Sequence, residues 1–404
     1  MNNELLLKMA EKYGCPLYVY DAEKIISQYN RLRNAFGQHR IPEINYAVKA
    51  SSNVSILKLL KSLGANIDCV SIGEVLLGLE AGYNPGQISY TPNGVSLAEL
   101  AEVTELGVKI NVDNLHILKA FGEKFPNIPV CIRINPNIIA GGNEKISVGH
   151  ADSKFGIAVD KMDEVKNIIK KTGTRIQGVH MHTGSDILDA DTFLQGADVL
   201  LFVAKQFKDL DFVDFGGGFK VAYKDGDPAT DMEAFAAKFN KKFDVFCSEY
   251  GKSLTAVFEP GKFMVSESGY FLTRVNVVKP STNLVFAGID SGFNHFIRPM
   301  YYGAYHDIIN LSNPEGENKK YNVVGYICET DTFAKNREIS EISIGDILCF
   351  KNAGAYCFSM ASNYNSRFLP AEVLVYKNRD YLIRERETLK DLLRNQTKID
   401  ILLE

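Results

Sequence analysis

The sequence predicts an α/β barrel of the TIM-type (β/α)8 class followed by a C-terminal antiparallel β-domain. Three observations carry that expectation. The chain has 404 residues, more than one ordinary core organises, and a barrel of about 250 residues with a smaller second domain fits that length. From about residue 40 to 260, short β-like runs alternate with amphipathic helical stretches, the pattern of βαβ units and a parallel sheet. After about residue 270, strand-like runs follow one another with turn signals between them, as in an antiparallel domain.

Taken in order, the start Met1-Asn2-Asn3-Glu4-Leu5-Leu6-Leu7-Lys8 has no basic segment and no apolar run of useful length. It reads as the first turn of an amphipathic helix rather than a signal peptide. Residues 16–20 are strand-like and are a candidate to join the β-domain. The barrel runs are 44–48, 66–70, 108–112, 130–134, 176–180, 212–215 and 254–258. Helical patterns lie between them at 55–63, 72–81, 97–106 and 162–171. Seven or eight such units, with no nucleotide fingerprint after the first strand, favour a closed barrel over an open sheet. Runs at 271–278, 284–288, 323–327, 347–350 and 372–376 form the second domain, with 313–320 as a polar loop tip. The expected division is therefore a barrel over 25–270 and a β-domain built from 1–24 with 271–404.

Composition narrows the class of function. Hydrophobic content of 46% and charged content of 23% belong to a soluble globular protein. A net charge of -4 and a pI near 6.1 give no reason to expect nucleic acid or a membrane surface as partner. No segment approaches the roughly 18 apolar residues of a membrane-spanning helix. The seven cysteines are scattered, odd in number and form no CxxC. That pattern suits a reducing cytosol and argues against a disulfide framework or structural zinc, so a cytoplasmic location is expected.

Chemistry concentrates at strand ends. Lys49 closes Tyr46-Ala47-Val48-Lys49-Ala50, at the carboxyl rim of the first barrel strand, where catalytic groups project. A half-desolvated lysine there can attack an aldehyde; the alternative is a solvated strand-end lysine. Gly216-Gly217-Gly218 follows the strand ending at Phe215. Without side chains, successive N–H groups can cradle a phosphate; the alternative is a tight βα turn. In His180-Met181-His182-Thr183-Gly184-Ser185, His182 can lie against an aromatic ring and Ser185 can donate to phosphate. A metal on His180 and His182 competes with that reading, but the spacing offers no third ligand. Glu259, in Glu259-Pro260-Gly261-Lys262, can hold a ring nitrogen protonated; otherwise it caps a turn. An amine, a phosphate cradle and that carboxylate are together the parts needed to run pyridoxal 5'-phosphate (PLP) as an electron sink.

These segments, with Ser153-Lys154-Phe155-Gly156, Arg298-Pro299-Met300-Tyr301-Tyr302-Gly303-Ala304-Tyr305-His306, Cys328-Glu329-Thr330-Asp331, Gly354-Ala355-Tyr356-Cys357-Phe358-Ser359-Met360 and Asn363-Tyr364-Asn365-Ser366-Arg367, carry a resemblance nearly end to end. The chain resembles the fold-type III PLP-dependent decarboxylases, and within them the diaminopimelate decarboxylases, with an alanine racemase/ornithine decarboxylase-like pairing of domains. The resemblance implies that Lys49 holds PLP covalently, that Gly216 to Gly218, Ser185 and Tyr356 bind its phosphate, and that Asp68 and His182 position the ring. It implies that Glu259 pairs with the ring nitrogen, with Pro260, Gly261 and Lys262 in the same cofactor-binding turn. Arg298, Tyr302, Glu329, Tyr356 and Lys262 are implied to hold substrate, and Cys328 to be the acid that protonates the carbanion. A homodimer with shared active sites is implied, Cys328 and Glu329 reaching into the neighbouring subunit.

The reaction so implied is decarboxylation of meso-2,6-diaminopimelate to L-lysine and CO2, the final step of lysine biosynthesis. The family usually has Arg where this chain has Lys262, and lysine keeps the charge but loses the planar fork. Competing readings are a PLP decarboxylase of another diamino acid or of carboxynorspermidine, a PLP racemase, and a non-catalytic PLP-binding homologue. Glu259 and Cys328 disfavour the racemase, and retention of Lys49 and Cys328 disfavours the inactive homologue.

Overall fold

The computed structural model describes residues 1–38, 40–137 and 153–401. The loop near Gly149, whose order the sequence leaves open, lies outside the described residues. The chain divides into two compact units, Lys24–Ser266 and Met1–Glu23 with Glu267–Glu404.

The first unit is a closed barrel. Its strands are Glu43–Ala47, Asn66–Cys69, Ile88–Tyr90, Lys109–Val112, Val130–Asn135, Ile176–His180, Phe212–Asp214 and Thr255–Phe258. Each pairs in parallel with its neighbours, and the last pairs back onto the first through Val257↔Glu43 and Phe258↔Ile44. Closure pairs each of these eight strands on both sides, and the two-residue strand Ile157–Ala158 adds alongside Val130–Asn135. The three-residue strand Ile88–Tyr90 has no counterpart among the sequence-derived runs, being too short to show periodicity. Helices Val54–Leu63, Ile72–Glu80, Leu97–Glu105 and Leu115–Lys124 return the chain between strands. Their starts are set by Asn53, Ser71, Ser96 and Asn114, whose side chains accept backbone N–H bonds of the first turn.

An aromatic cluster packs beneath one sector of the rim. Phe215 and Phe258, the residues before Gly216 and Glu259, have ring centroids 5.7 Å apart. Phe239, from helix Met232–Tyr250, lies edge-on to both, at 4.8 and 5.0 Å. Two functional turns are thus anchored by the bulky side chains immediately preceding them.

In the second unit, Leu17–Asp21 pairs antiparallel with Gly269–Pro280 and parallel with Ala371–Tyr376. The early strand-like run does join this domain. Val285–Ile289 also pairs in parallel with Asn318–Val324, so the domain is mostly rather than wholly antiparallel. The run expected at 323–327 ends at Val324, because Gly325 opens a loop, and residues 318–320 of the expected loop tip are strand. Leu6, Leu17, Val19, Leu272, Cys349 and Val373 form the core of this unit. Among the described residues no helix is long and apolar enough to cross a membrane.

Candidate active site

The barrel contributes a buried, charged rim. Lys49 follows the first barrel strand in a short 3-10 turn, and its Nζ lies 3.2 Å from Oδ2 of Asp68 on the next strand. The lysine side chain is 36% exposed while Asp68 is buried at 1%, so the amine sits at an opening with its counter-charge inside. Burial first, then the charge of Glu259, raises the Asp68 carboxyl against the pull of Lys49.

Glu259 is buried, and its Oε2 lies 3.2 Å from His180 Nε2. Burial alone would raise this carboxyl, but the His180 ring and the Lys49 ammonium outweigh it and hold Glu259 down at about 2. Asp214 goes the other way. Burial first, and then the Glu259 charge, push it well above the ordinary aspartate value, so Asp214 favours its protonated form where Glu259 favours its charged one. His180, Asp214 and Glu259 bring ligand atoms within 4.8 Å of one another; the fold supplies beside His180 the donors that spacing alone did not reveal. His182 turns elsewhere, its Nδ1 accepting from Gly217 N–H at 3.3 Å. Burial, followed by the cations Arg133 and Lys49, pushes the His182 ring down to about 3, so it is neutral at working pH.

The glycine run is required by close approach. Gly216 and Gly218 have φ of 68° and 109°, conformations that cost other residues strain. A Cβ at Gly216 would collide with the Met181 carbonyl, at Gly217 with the Glu259 carbonyl and at Gly218 with the Gly184 carbonyl. Three strand-end turns therefore meet here, with Glu259 N–H donating to Gly216 O at 2.8 Å and Ile187 N–H to Gly218 O at 2.9 Å. Ser185 lies in the second turn. Pro260 and Gly261 lie in the third, where the Pro260 carbonyl accepts from Ala47 N–H at 3.3 Å. Lys262 Nζ reaches both oxygens of Asp186, at 2.8 and 2.9 Å.

The β-domain unit, described by itself, holds a second group of candidate residues. Arg298 opens the short helix Arg298–Tyr302 and is buried. Its Nε donates to His306 Nε2 at 3.3 Å, and His306 Nδ1 donates to Lys351 O at 2.9 Å, which sets the tautomer of that histidine. The guanidinium stands 5.9 Å from the Tyr302 ring centroid, and Nη1 is 3.5 Å from the carbonyl of Ala355, next to Tyr356. Tyr356 itself takes φ of 57°. Cys328 and Glu329 occupy the loop joining Asn318–Val324 to Thr332–Ser340 and are exposed. Gly325 N–H donates to Asp331 O at 2.9 Å and closes the base of that loop. Tyr364 OH donates to Glu329 Oε1 at 2.7 Å, and Asn365 Nδ2 to Cys328 Sγ at 3.3 Å, while Cys328 N–H donates back to Asn365 Oδ1 at 3.2 Å.

Comparison with known proteins fixes what these parts belong to. The model of "Pyridoxal-dependent decarboxylase, pyridoxal binding domain" matches residues 22–266. The diaminopimelate decarboxylase of Methanothermobacter thermautotrophicus is 40% identical over 400 residues, 96% of this chain and 93% of its own. That of Escherichia coli K12 is 33% identical over 408 residues, 96% of each chain. The crystal structure of diaminopimelate decarboxylase from Helicobacter pylori complexed with L-lysine superposes with a TM-score of 0.89 at 34% identity, covering 97% of this chain and 98% of that one. The chain belongs to the diaminopimelate decarboxylase family. It is a PLP-dependent carboxy-lyase.

The barrel rim of this family member fits the cofactor on its own terms. Glu259 Oε1 and Asp68 Oδ1 are buried without a hydrogen-bond partner among the described residues, an expensive state that a ring nitrogen and its proton relieve. The turn at Gly216 to Gly218 presents backbone where any side chain would collide. Of the residues singled out from sequence, Lys49, Asp68, His182, Ser185, Gly216, Gly217, Gly218, Glu259, Pro260, Gly261 and Lys262 lie in the barrel unit. Arg298, Tyr302, Cys328, Glu329 and Tyr356 lie in the β-domain unit. Sequence reasoning missed Arg133, Asp186, Asp214, His306 and Asn365 as participants. Asp214 ends the strand that leads into the glycine run, and its signal was an acid two residues before Gly216 in an otherwise apolar strand.

Proposed function

We propose that this chain decarboxylates meso-diaminopimelate to L-lysine and CO2 as the last step of lysine biosynthesis, in the cytoplasm, and works as a homodimer. The observation that carries the reaction class is the rim set of Lys49, a charged Glu259 and the Gly216 to Gly218 turn. Bound PLP supplies an electron sink for the pair left on Cα as CO2 departs. Lys49 would hold the cofactor through its amine, which lies 3.2 Å from Asp68 Oδ2. Glu259 keeps a proton at the ring nitrogen, while Asp214, whose carboxyl burial and the Glu259 charge push toward the neutral form, competes less for that role. Neutral His182 offers a ring face, and Ser185, Tyr356 and the glycine N–H groups take the phosphate.

The distal end of the substrate explains the second group. Its carboxylate and ammonium call for a cation and an anion, which Arg298 and Glu329 provide with Tyr302 beside them. Lysine or ornithine as substrate brings no distal carboxylate for Arg298 to hold, and a site built to bind that group discriminates against analogues lacking it. Cys328 delivers the proton to Cα. In the single chain Cys328 and Glu329 are open to water, so the β-domain is read as completing the active site of the partner subunit, with the barrel over 25–270 holding PLP. Incubation with meso-diaminopimelate is expected to release CO2 and L-lysine; release from ornithine instead overturns the substrate. Mixing Lys49→Ala with Cys328→Ala subunits is expected to restore up to about a quarter of wild-type activity, since half the exchanged dimers then carry one intact site. No recovery despite proven subunit exchange overturns the shared site.

A further inference from the structure

Three turns meet at the phosphate end of the barrel: 184–187, 216–218 and 259–262. The backbone joins the first to the second through the Gly184 carbonyl against Gly218 and the Ile187 N–H bond to Gly218 O. It joins the second to the third through the Gly217 contact with the Glu259 carbonyl and the Glu259 N–H bond to Gly216 O. The first and third turns are linked by side chains. Lys262 Nζ sits almost equidistant from the two Asp186 oxygens, at 2.8 and 2.9 Å. The lysine side chain is 8% exposed and the aspartate 27%, so the pair is shielded from the water and salt that weaken surface ion pairs. Asp186 follows Ser185 directly and takes φ of 62°, a left-handed conformation that Asp accepts more readily than most residues but still at a cost.

We infer that Lys262 and Asp186 form a clasp that holds the Ser185 turn against the Glu259 turn, making Asp186 a positioning residue for the cofactor's phosphate cradle and Lys262 its anchor rather than a grip on substrate. The charge arithmetic supports this division. A lysine whose charge is matched by both oxygens of one carboxylate has little attraction left for a second carboxylate, which would also meet Asp186 as a like charge. The distal carboxylate of the substrate then depends on Arg298. Loss of either partner frees the Ser185 turn to move relative to the glycine run, and hydrogen bonds to phosphate lose their alignment.

The inference rests on the reading of Ser185 and Gly216 to Gly218 as the phosphate site, and its test is arranged to fail separately from the substrate assignment. PLP is titrated into apo-protein of wild type, Lys262→Met, Asp186→Asn, the double variant and Lys262→Arg, with phosphate-free pyridoxal as a second probe. Each single variant is expected to weaken PLP about ten- to thirtyfold, with the double no worse than the weaker single, the strong coupling of contacting residues. Pyridoxal affinity is expected to change far less, Lys262→Arg to recover most of the loss, and KM for meso-diaminopimelate at saturating PLP to stay within about twofold. Thermal melting of the same apo-variants separates clasp loss from misfolding, and Asp186→Asn is the milder probe. Unchanged PLP affinity in Asp186→Asn, or additive losses in the double variant, overturns the clasp. So does a large rise in KM for Lys262→Met alone, which would make Lys262 a substrate cation.

Discussion

The barrel and the β-domain handle their charged groups in opposite ways. In the barrel, Asp68, His180, Asp214 and Glu259 are each buried at 6% exposure or less. Burial and neighbouring charge set the ionisation of the acids: burial first and then Glu259 push Asp214 up, while Glu259 is held at about 2 beside His180. In the β-domain, Cys328 and Glu329 stand exposed, tied by Tyr364, itself 40% exposed, and Asn365. The contrast teaches where each half gets its chemistry. The barrel acids take their electrostatic environment from the fold of one chain. The Cys328 loop has geometry but no enclosure, and with Cys328 as the proposed proton donor, something else must cover it before it can deliver a proton to one atom selectively.

Mutations break this contrast in graded fashion. Cys328→Ala is expected to cost the most in turnover, about 10²- to 10⁴-fold, the usual reach of a positioned proton donor, while leaving PLP affinity unchanged by titration. Equal damage to both quantities would show that the loop matters for folding of the site rather than for protonation. In the barrel, Glu259→Gln is expected to lower kcat about 10²- to 10³-fold through loss of fixed negative charge. Asp214→Asn replaces a carboxyl that favours its protonated form, keeps an acceptor for the Gly216 N–H bond of 2.9 Å, and is expected to stay near wild type. Steady-state rates of the two variants side by side decide the matter; similar losses would mean that the proton is not partitioned between the acids as argued. Phe239→Ala removes the ring that wedges Phe215 against Phe258 and is expected to cost about 3–5 kcal/mol in urea unfolding. A loss below about 1 kcal/mol would show that the aromatic cluster repacks around the gap.

The same contrast governs what could be read from sequence. The strand-end placement of Lys49, Gly216 to Gly218 and Glu259 was legible because each carries a local signature at the end of an apolar strand. Asp214 and Arg133 were not, since their importance comes from neighbours on other barrel strands. Asp186 finds its partner 76 residues away, beyond any periodicity. In the fold, alternation revealed the barrel but passed over Ile88–Tyr90, a strand of three residues after Pro85-Gly86. The strand character of 16–20 was visible, whereas its parallel pairing with Ala371–Tyr376 was not, because pairing direction leaves no mark on a single strand.

The smallest effect expected concerns the base of the Cys328 loop, where one β-domain acid behaves like those of the barrel. Asp331 is buried beneath the loop, and burial raises its carboxyl to about 6 although backbone N–H groups pull the other way. An acid whose folded value lies above its unfolded one favours the native state while protonated. Its contribution is therefore full below about 3.8 and is lost as pH rises through about 6. Asp331→Asn, unable to ionise, removes that dependence and is expected to be more stable than wild type by about 1 kcal/mol at pH 8 after discounting for solvent screening. At pH 4 the two proteins are expected to match. Urea midpoints at the two pH values measure this, and the rate of Cys328 alkylation by iodoacetamide reports the loop itself, with slower labelling in the variant at pH 8. If the variant is instead less stable at pH 8, the ionised carboxylate is holding the loop through its backbone N–H bonds. The Cys328 loop would then rest on a fixed charge after all, and the two units would be built on one principle rather than two.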